Sequence, residues 1–66
     1  MKYISEENLC SLAHTLGFTV MKDDGYYQAY NSESVSFLLG KEDVAGWILE
    51  ESGRTIDKYG RLVPIA

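Results

Sequence analysis

Apolar residues in the first part of the chain recur at helical spacing. Leu9, Leu12, Ala13 and Leu16 follow an i, i+3, i+4, i+7 pattern and so share one stripe of a helix. Just ahead of them stands Ser5, whose hydroxyl can accept an N–H from the first turn, followed by Glu6 and Glu7 at the positive end of the helix dipole. Ile4 and Leu9 occupy the two positions of a hydrophobic staple across that cap. Gly17 can take the left-handed conformation that ends a helix, with Phe18 folding back on Leu12 or Ala13. The spacing predicts a helix over residues 6–16.

From Phe18 onward the period falls to two. Phe18, Val20 and Lys22 point one way and Thr19 and Met21 the other; Asp23-Asp24-Gly25 then supplies a turn, and residues 26–30 resume a strand-rich composition. This predicts a β-hairpin. A second turn cluster, Asn31-Ser32-Glu33-Ser34, leads into Val35 to Leu39, where Val35, Phe37 and Leu39 would share one face of a third strand. Gly40 breaks that strand, and residues 41–52 read as a second helix stopped by Gly53. Val44, Trp47 and Ile48 line its stripe, but Ala45 and Leu49 widen the apolar arc to about 200°. That is more than one sheet face needs, so either the first helix or another molecule covers the excess.

Residues 54–66 carry Ile56, Tyr59, Leu62, Val63 and Ile65 without a sustained period, and Asp57-Lys58-Tyr59-Gly60 has the composition of a turn. A short hairpin and a docked arm both fit, and Pro64 keeps the end out of a central strand. The expected fold is α+β: one small α-β-β-β-α domain over residues 1–66, a three-stranded antiparallel meander with helices packed on one face and a short C-terminal tail.

Composition bears on stability before it bears on function. At 66 residues, with 45% hydrophobic and 24% charged side chains, the chain has the make-up of a folded domain, but one whose core is thin. Domains of this size gain from a disulfide, a metal or another chain. With a single cysteine, Cys10, and a single histidine, His14, the first is excluded within the chain and a multi-ligand Cys/His metal site is not available. Association with a partner or with itself remains. An unpaired thiol and a start without the apolar run of a signal peptide suit the cytoplasm, and no stretch approaches the ~20 apolar residues of a membrane span.

The net charge of −4 is unevenly spread. Residues 1–53 hold every acidic side chain except Asp57, against Lys2, Lys22 and Lys41, whereas the tail sets Arg54, Lys58 and Arg61 against Asp57 alone. An acidic body opposes direct binding to phosphates and favours a basic protein surface, although acidity also serves solubility.

Reactive chemistry has little to draw on. Cys10 and His14 are four apart on the first helix, with Glu7 on the same flank, yet a nucleophilic cysteine also needs an orienting group, an oxyanion site and a concave pocket. The plainer reading is a half-buried Cys10 beside the apolar stripe and a solvent-facing His14. The acidic pairs have local explanations: Asp23-Asp24 in a turn, Glu42-Asp43 in the first turn of a helix. Glu50-Glu51 at a helix C-terminus opposes the dipole, with Arg54 and Lys58 near enough in sequence to neutralise it. No phosphate loop, dinucleotide fingerprint or calcium loop is present, so neither catalytic residues nor a cofactor are expected.

The five tyrosines are more informative. In the second strand Tyr26, Gln28 and Tyr30 share one face and Tyr27 and Ala29 the other, so tyrosine rings stand on both sides of the sheet. A ring that is apolar in body and polar at its tip suits an interface, while cross-strand decoration of a sheet is the ordinary alternative. Stacking of single-stranded nucleic acid is disfavoured because residues 18–39 offer only Lys22 against Asp23, Asp24 and Glu33. The expectation is a noncatalytic protein-interaction module, with a homodimer as one form of it, using Tyr26, Tyr27, Tyr30, Trp47, Glu50, Glu51 and Tyr59. The alternative is a small acidic inhibitor, of the kind some phages encode, that blocks the basic cleft of a nucleic-acid-binding enzyme.

Overall fold

The computed structural model describes residues 3–65; Lys2, counted above among the cations of the body, and Ala66, the end of the tail, lie outside them. Helix α1 covers Glu6–Thr15. Ser5 is extended and its side-chain oxygen accepts the Asn8 N–H at 3.1 Å, so the cap forms where the sequence places it. At the other end Gly17 takes φ 83°, its N–H donates to the His14 carbonyl, and the Phe18 N–H donates to the Ala13 carbonyl at 2.8 Å. This pair of bonds is a Schellman closure, and it brings buried Phe18 back toward buried Ala13. Ile4 and Leu9, the two staple residues, are both part of the core.

Strands β1 (Thr19–Asp23) and β2 (Tyr26–Tyr30) pair antiparallel through a two-residue turn in which Asp24 has φ 51° and Gly25 φ 82°. Two positive values in succession make a type I′ turn, whose twist matches that of the strands it joins. Val20 lies opposite Ala29 and Lys22 opposite Tyr27 on one face; Thr19 opposite Tyr30, Met21 opposite Gln28 and Asp23 opposite Tyr26 form the other. Helices cover only the first of these, where Ala29 and Tyr27 are buried.

The expected third strand requires correction. Residues 35–39 run beside β2 but make only isolated bridges, Val35 with Tyr30 and Leu39 with Tyr27, so the sheet is two-stranded rather than a three-stranded meander. The Ser36 N–H donates to the Ala29 carbonyl at 2.8 Å, and Leu39 and Tyr27 exchange backbone bonds of 2.8 and 2.7 Å. Between those attachments Phe37 and Leu38 together face the single residue Gln28. That surplus residue has the form of a β-bulge, and it interrupts the ladder. It also changes the faces: Leu39 turns in against the core, whereas Val35 and Phe37 are left outside. Ser36 points inward instead, its hydroxyl accepting the Ala29 N–H at 2.9 Å and donating to the Phe37 carbonyl at 2.8 Å.

Helix α2 covers Lys41–Glu51, with Glu42 and Asp43 in its first turn and Val44, Ala45 and Ile48 buried. The Ile4 N–H donates to Glu42 Oε2 at 3.3 Å, tying the start of the chain to this helix. The tail then forms a second hairpin, β3 (Arg54–Ile56) with β4 (Leu62–Pro64). Asp57 organises its tip, accepting the Tyr59 and Arg61 N–H groups on Oδ1 and Arg61 Nε–H on Oδ2, each at 2.9 Å. Helix α2 touches α1, β2 and β3, which accounts for its wide apolar arc: other parts of the same chain share it. Among the described residues no helix is long and apolar enough to cross a membrane.

Candidate functional site

The type I′ turn and the bulge together shape the face of the sheet that the helices leave bare. Tyr26 and Met21 are exposed on it, Tyr30 and Gln28 are half-buried, and Val35 is 64% and Phe37 86% exposed. The arrangement is braced by polar bonds. Gln28 Nε2 donates to the Ser36 carbonyl at 2.9 Å, and Asn31 Oδ1 accepts the N–H groups of Glu33 and Ser34 at 2.8 Å each, closing the loop that returns the chain to β2. A large apolar side chain held outside by a pinned backbone gives a surface little rearrangement to make when it is covered.

The seven residues singled out from the sequence do not gather on one surface. Tyr26 and Tyr30 lie on this bare face. Tyr27, on the same strand, is only 6% exposed: its ring belongs to the core and its hydroxyl donates to Glu6 Oε1 at 2.7 Å. Trp47 is half-buried and meets Phe18 edge-on, ring centroids 5.5 Å apart at 76°, so its ring caps the core rather than standing free. Glu50 and Glu51 are exposed on the last turn of α2, and Tyr59 stands at the tip of the second hairpin, 70% exposed, with Lys58 Nζ at 5.2 Å and the Arg61 guanidinium at 5.1 Å from its ring centre. Sequence reasoning missed Val35 and Phe37. The alternation of Val35, Ser36 and Phe37 gave no signal for their exposure, since a polar residue between two apolar ones reads as the outward one, whereas Ser36 is buried here.

Glu50 and Glu51 make no ion pair among the described residues, and Glu51 Oε1 accepts a 3.1 Å bond from Ser34 Oγ instead of meeting Arg54 or Lys58. Close by, an open cleft of about 500 Å³ is lined at one side by Leu16 and Gly17, which end α1, and at the other by Glu51 and Ser52, which end α2, with Arg54 also on its wall. Two helix C-termini and the Glu51 carboxylate bring negative charge to that cleft, and the Arg54 guanidinium brings positive charge to it.

Cys10 is exposed, not half-buried as its place beside the apolar stripe suggests. His14 is exposed as expected. Among the described residues no three His, Cys, Asp or Glu side chains converge as a metal site would require. The groups whose ionisation is displaced serve local bonds. Glu6 is held below the usual carboxylate range first by the Tyr27 hydroxyl and then by Lys22, and Asp57 is held below it chiefly by the Arg61 backbone N–H.

Compared with known proteins, the chain matches no protein family, no curated protein and no solved structure.

Proposed function

We propose that this chain is a noncatalytic protein-interaction module that receives its partner on the outer face of the β1–β2 sheet. The observation that carries the reading is the exposure of Phe37 and Val35 beside Tyr26 and Tyr30, with backbone hydrogen bonds holding the apolar pair outside. In a domain with so thin a core, apolar side chains of this size contribute little to folding where they stand; covering them recovers that contribution. The exposed, unpaired thiol of Cys10 suits the reducing cytoplasm, which belongs with the same reading. The test is capture from lysate of the encoding cell by immobilised wild type and by Phe37→Ser, compared by mass spectrometry. A protein retained by the first and lost by the second is the expected result; identical capture by both removes the outer face from the function.

A second reading is the acidic inhibitor of a nucleic-acid-binding enzyme. Glu50 and Glu51, which make no ion pair among the described residues and stand at the negative end of α2, favour it. Association led by these carboxylates weakens steeply between low and high salt and with Glu50→Gln/Glu51→Gln, whereas association through the apolar face does neither.

A further inference from the structure

Among the described residues Thr19, Met21, Tyr26, Gln28, Tyr30, Val35 and Phe37 occupy the outer face, and its charge is confined to Asp23, opposite Tyr26 beside the turn. Yet the chain as a whole bears ten acidic side chains against six basic ones, and the helices carry most of the carboxylates, at Glu6, Glu7, Glu42, Asp43, Glu50 and Glu51. A surface evolved for a basic partner would present those carboxylates at the contact. This face presents mainly rings and apolar chains, with Asp23 near the turn its carboxylate, and its complement is another largely apolar face.

We propose that the occupant is a second copy of this chain, the two outer faces packing against each other about a two-fold axis. The proposal rests on the interaction-module reading and deepens it by naming the partner. Like meets like with little repulsion at the contact, although each copy is net acidic, because six of the ten carboxylates stand on the helices and the outer face carries only Asp23, near the turn. Sheets packed in this way lie about 10 Å apart, which leaves room for one layer of interdigitated side chains. The size of the face sets the strength. Five-residue strands rising ~3.4 Å per residue in three lanes ~4.8 Å apart give a footprint of roughly 17 by 14 Å, well short of the ~800 Å² per partner of a permanent complex. The dimer is therefore weak and reversible, populated at high concentration.

Sedimentation velocity from about 5 to about 500 μM, at low and high salt, tests this. The expected result is a monomer at the dilute end and a growing dimer at the concentrated end, with salt leaving the association unchanged or slightly stronger as net repulsion is screened. Phe37→Ser, at a position too exposed to support the fold, abolishes the dimer while keeping the thermal midpoint; Tyr59→Ser, on the other hairpin, leaves it intact. A monomer at every concentration overturns the proposal, and so does a dimer that survives Phe37→Ser or is lost in Tyr59→Ser. These failures are separable from failure of the module reading, since a monomeric wild type that captures a different protein in a Phe37-dependent way leaves that reading standing.

Discussion

The Tyr27 hydroxyl donates a 2.7 Å hydrogen bond to Glu6 Oε1 across 21 positions of sequence, joining the second strand to the first turn of α1. Lys22, opposite Tyr27 in the hairpin, completes the group with its ammonium 3.4 Å from the same carboxylate oxygen and 5.9 Å from the tyrosine ring centre. The carboxylate also sits at the positive end of the helix, so dipole, phenol and ammonium all favour its charged form.

Stability consequently falls at both ends of the pH scale. The Glu6 carboxyl is lowered from its ordinary 4.5, so its contribution is present above that value and is lost as pH falls through the folded value. Tyr27 is raised from 10.0, first by its bond to Glu6, and Lys22 is raised from 10.5, again first by Glu6, so their contributions are present below those values and are lost as pH rises through the folded ones. Thermal midpoints measured from pH 3 to 11 should show a plateau between these limits. Tyr27→Phe lowers the plateau and blunts the alkaline decline; a variant as stable as wild type with the same alkaline limb would contradict the assignment.

Two serines make opposite predictions. Ser36 Oγ is buried, accepts the Ala29 N–H and donates to the Phe37 carbonyl, so Ser36→Ala strands an interior N–H and should cost about 1–3 kcal/mol. Ser52 Oγ is buried with no partner among the described residues, so Ser52→Ala removes an unmet hydroxyl and should be neutral or slightly stabilising. Urea denaturation of both variants decides the matter, and equal losses would show that the bonding of Ser36 is not what holds the bulged segment.

Gly46 lies in the interior of α2, exposed, and an added Cβ there would meet nothing within 4 Å. A helical glycine costs up to about 1 kcal/mol relative to alanine. Gly46→Ala should raise stability by roughly that amount, read as a higher urea midpoint with an unchanged slope. Destabilisation would reveal a close contact at this position.

The local elements were legible because their causes are local. Ser5, the Ile4–Leu9 staple and Gly17 delimit α1 within a few residues of one another, and Asp24-Gly25 makes the hairpin turn by φ values its own two residues adopt. Alternation likewise put Tyr27 opposite Tyr26 and Tyr30, but a period of two states only that the faces differ. Which face lies inside was settled when the helices packed on Tyr27 and Ala29. The bulge at Phe37 and Leu38 was decided at the same level, because register depends on what β2 offers across the gap, and one surplus residue sends Leu39 inward and keeps Phe37 out. The helices, the first hairpin and the thinness of the core therefore follow from short-range bonds and composition alone. Only tertiary packing decided the bare face, since burial is a property of the partners a residue meets and not of the residue.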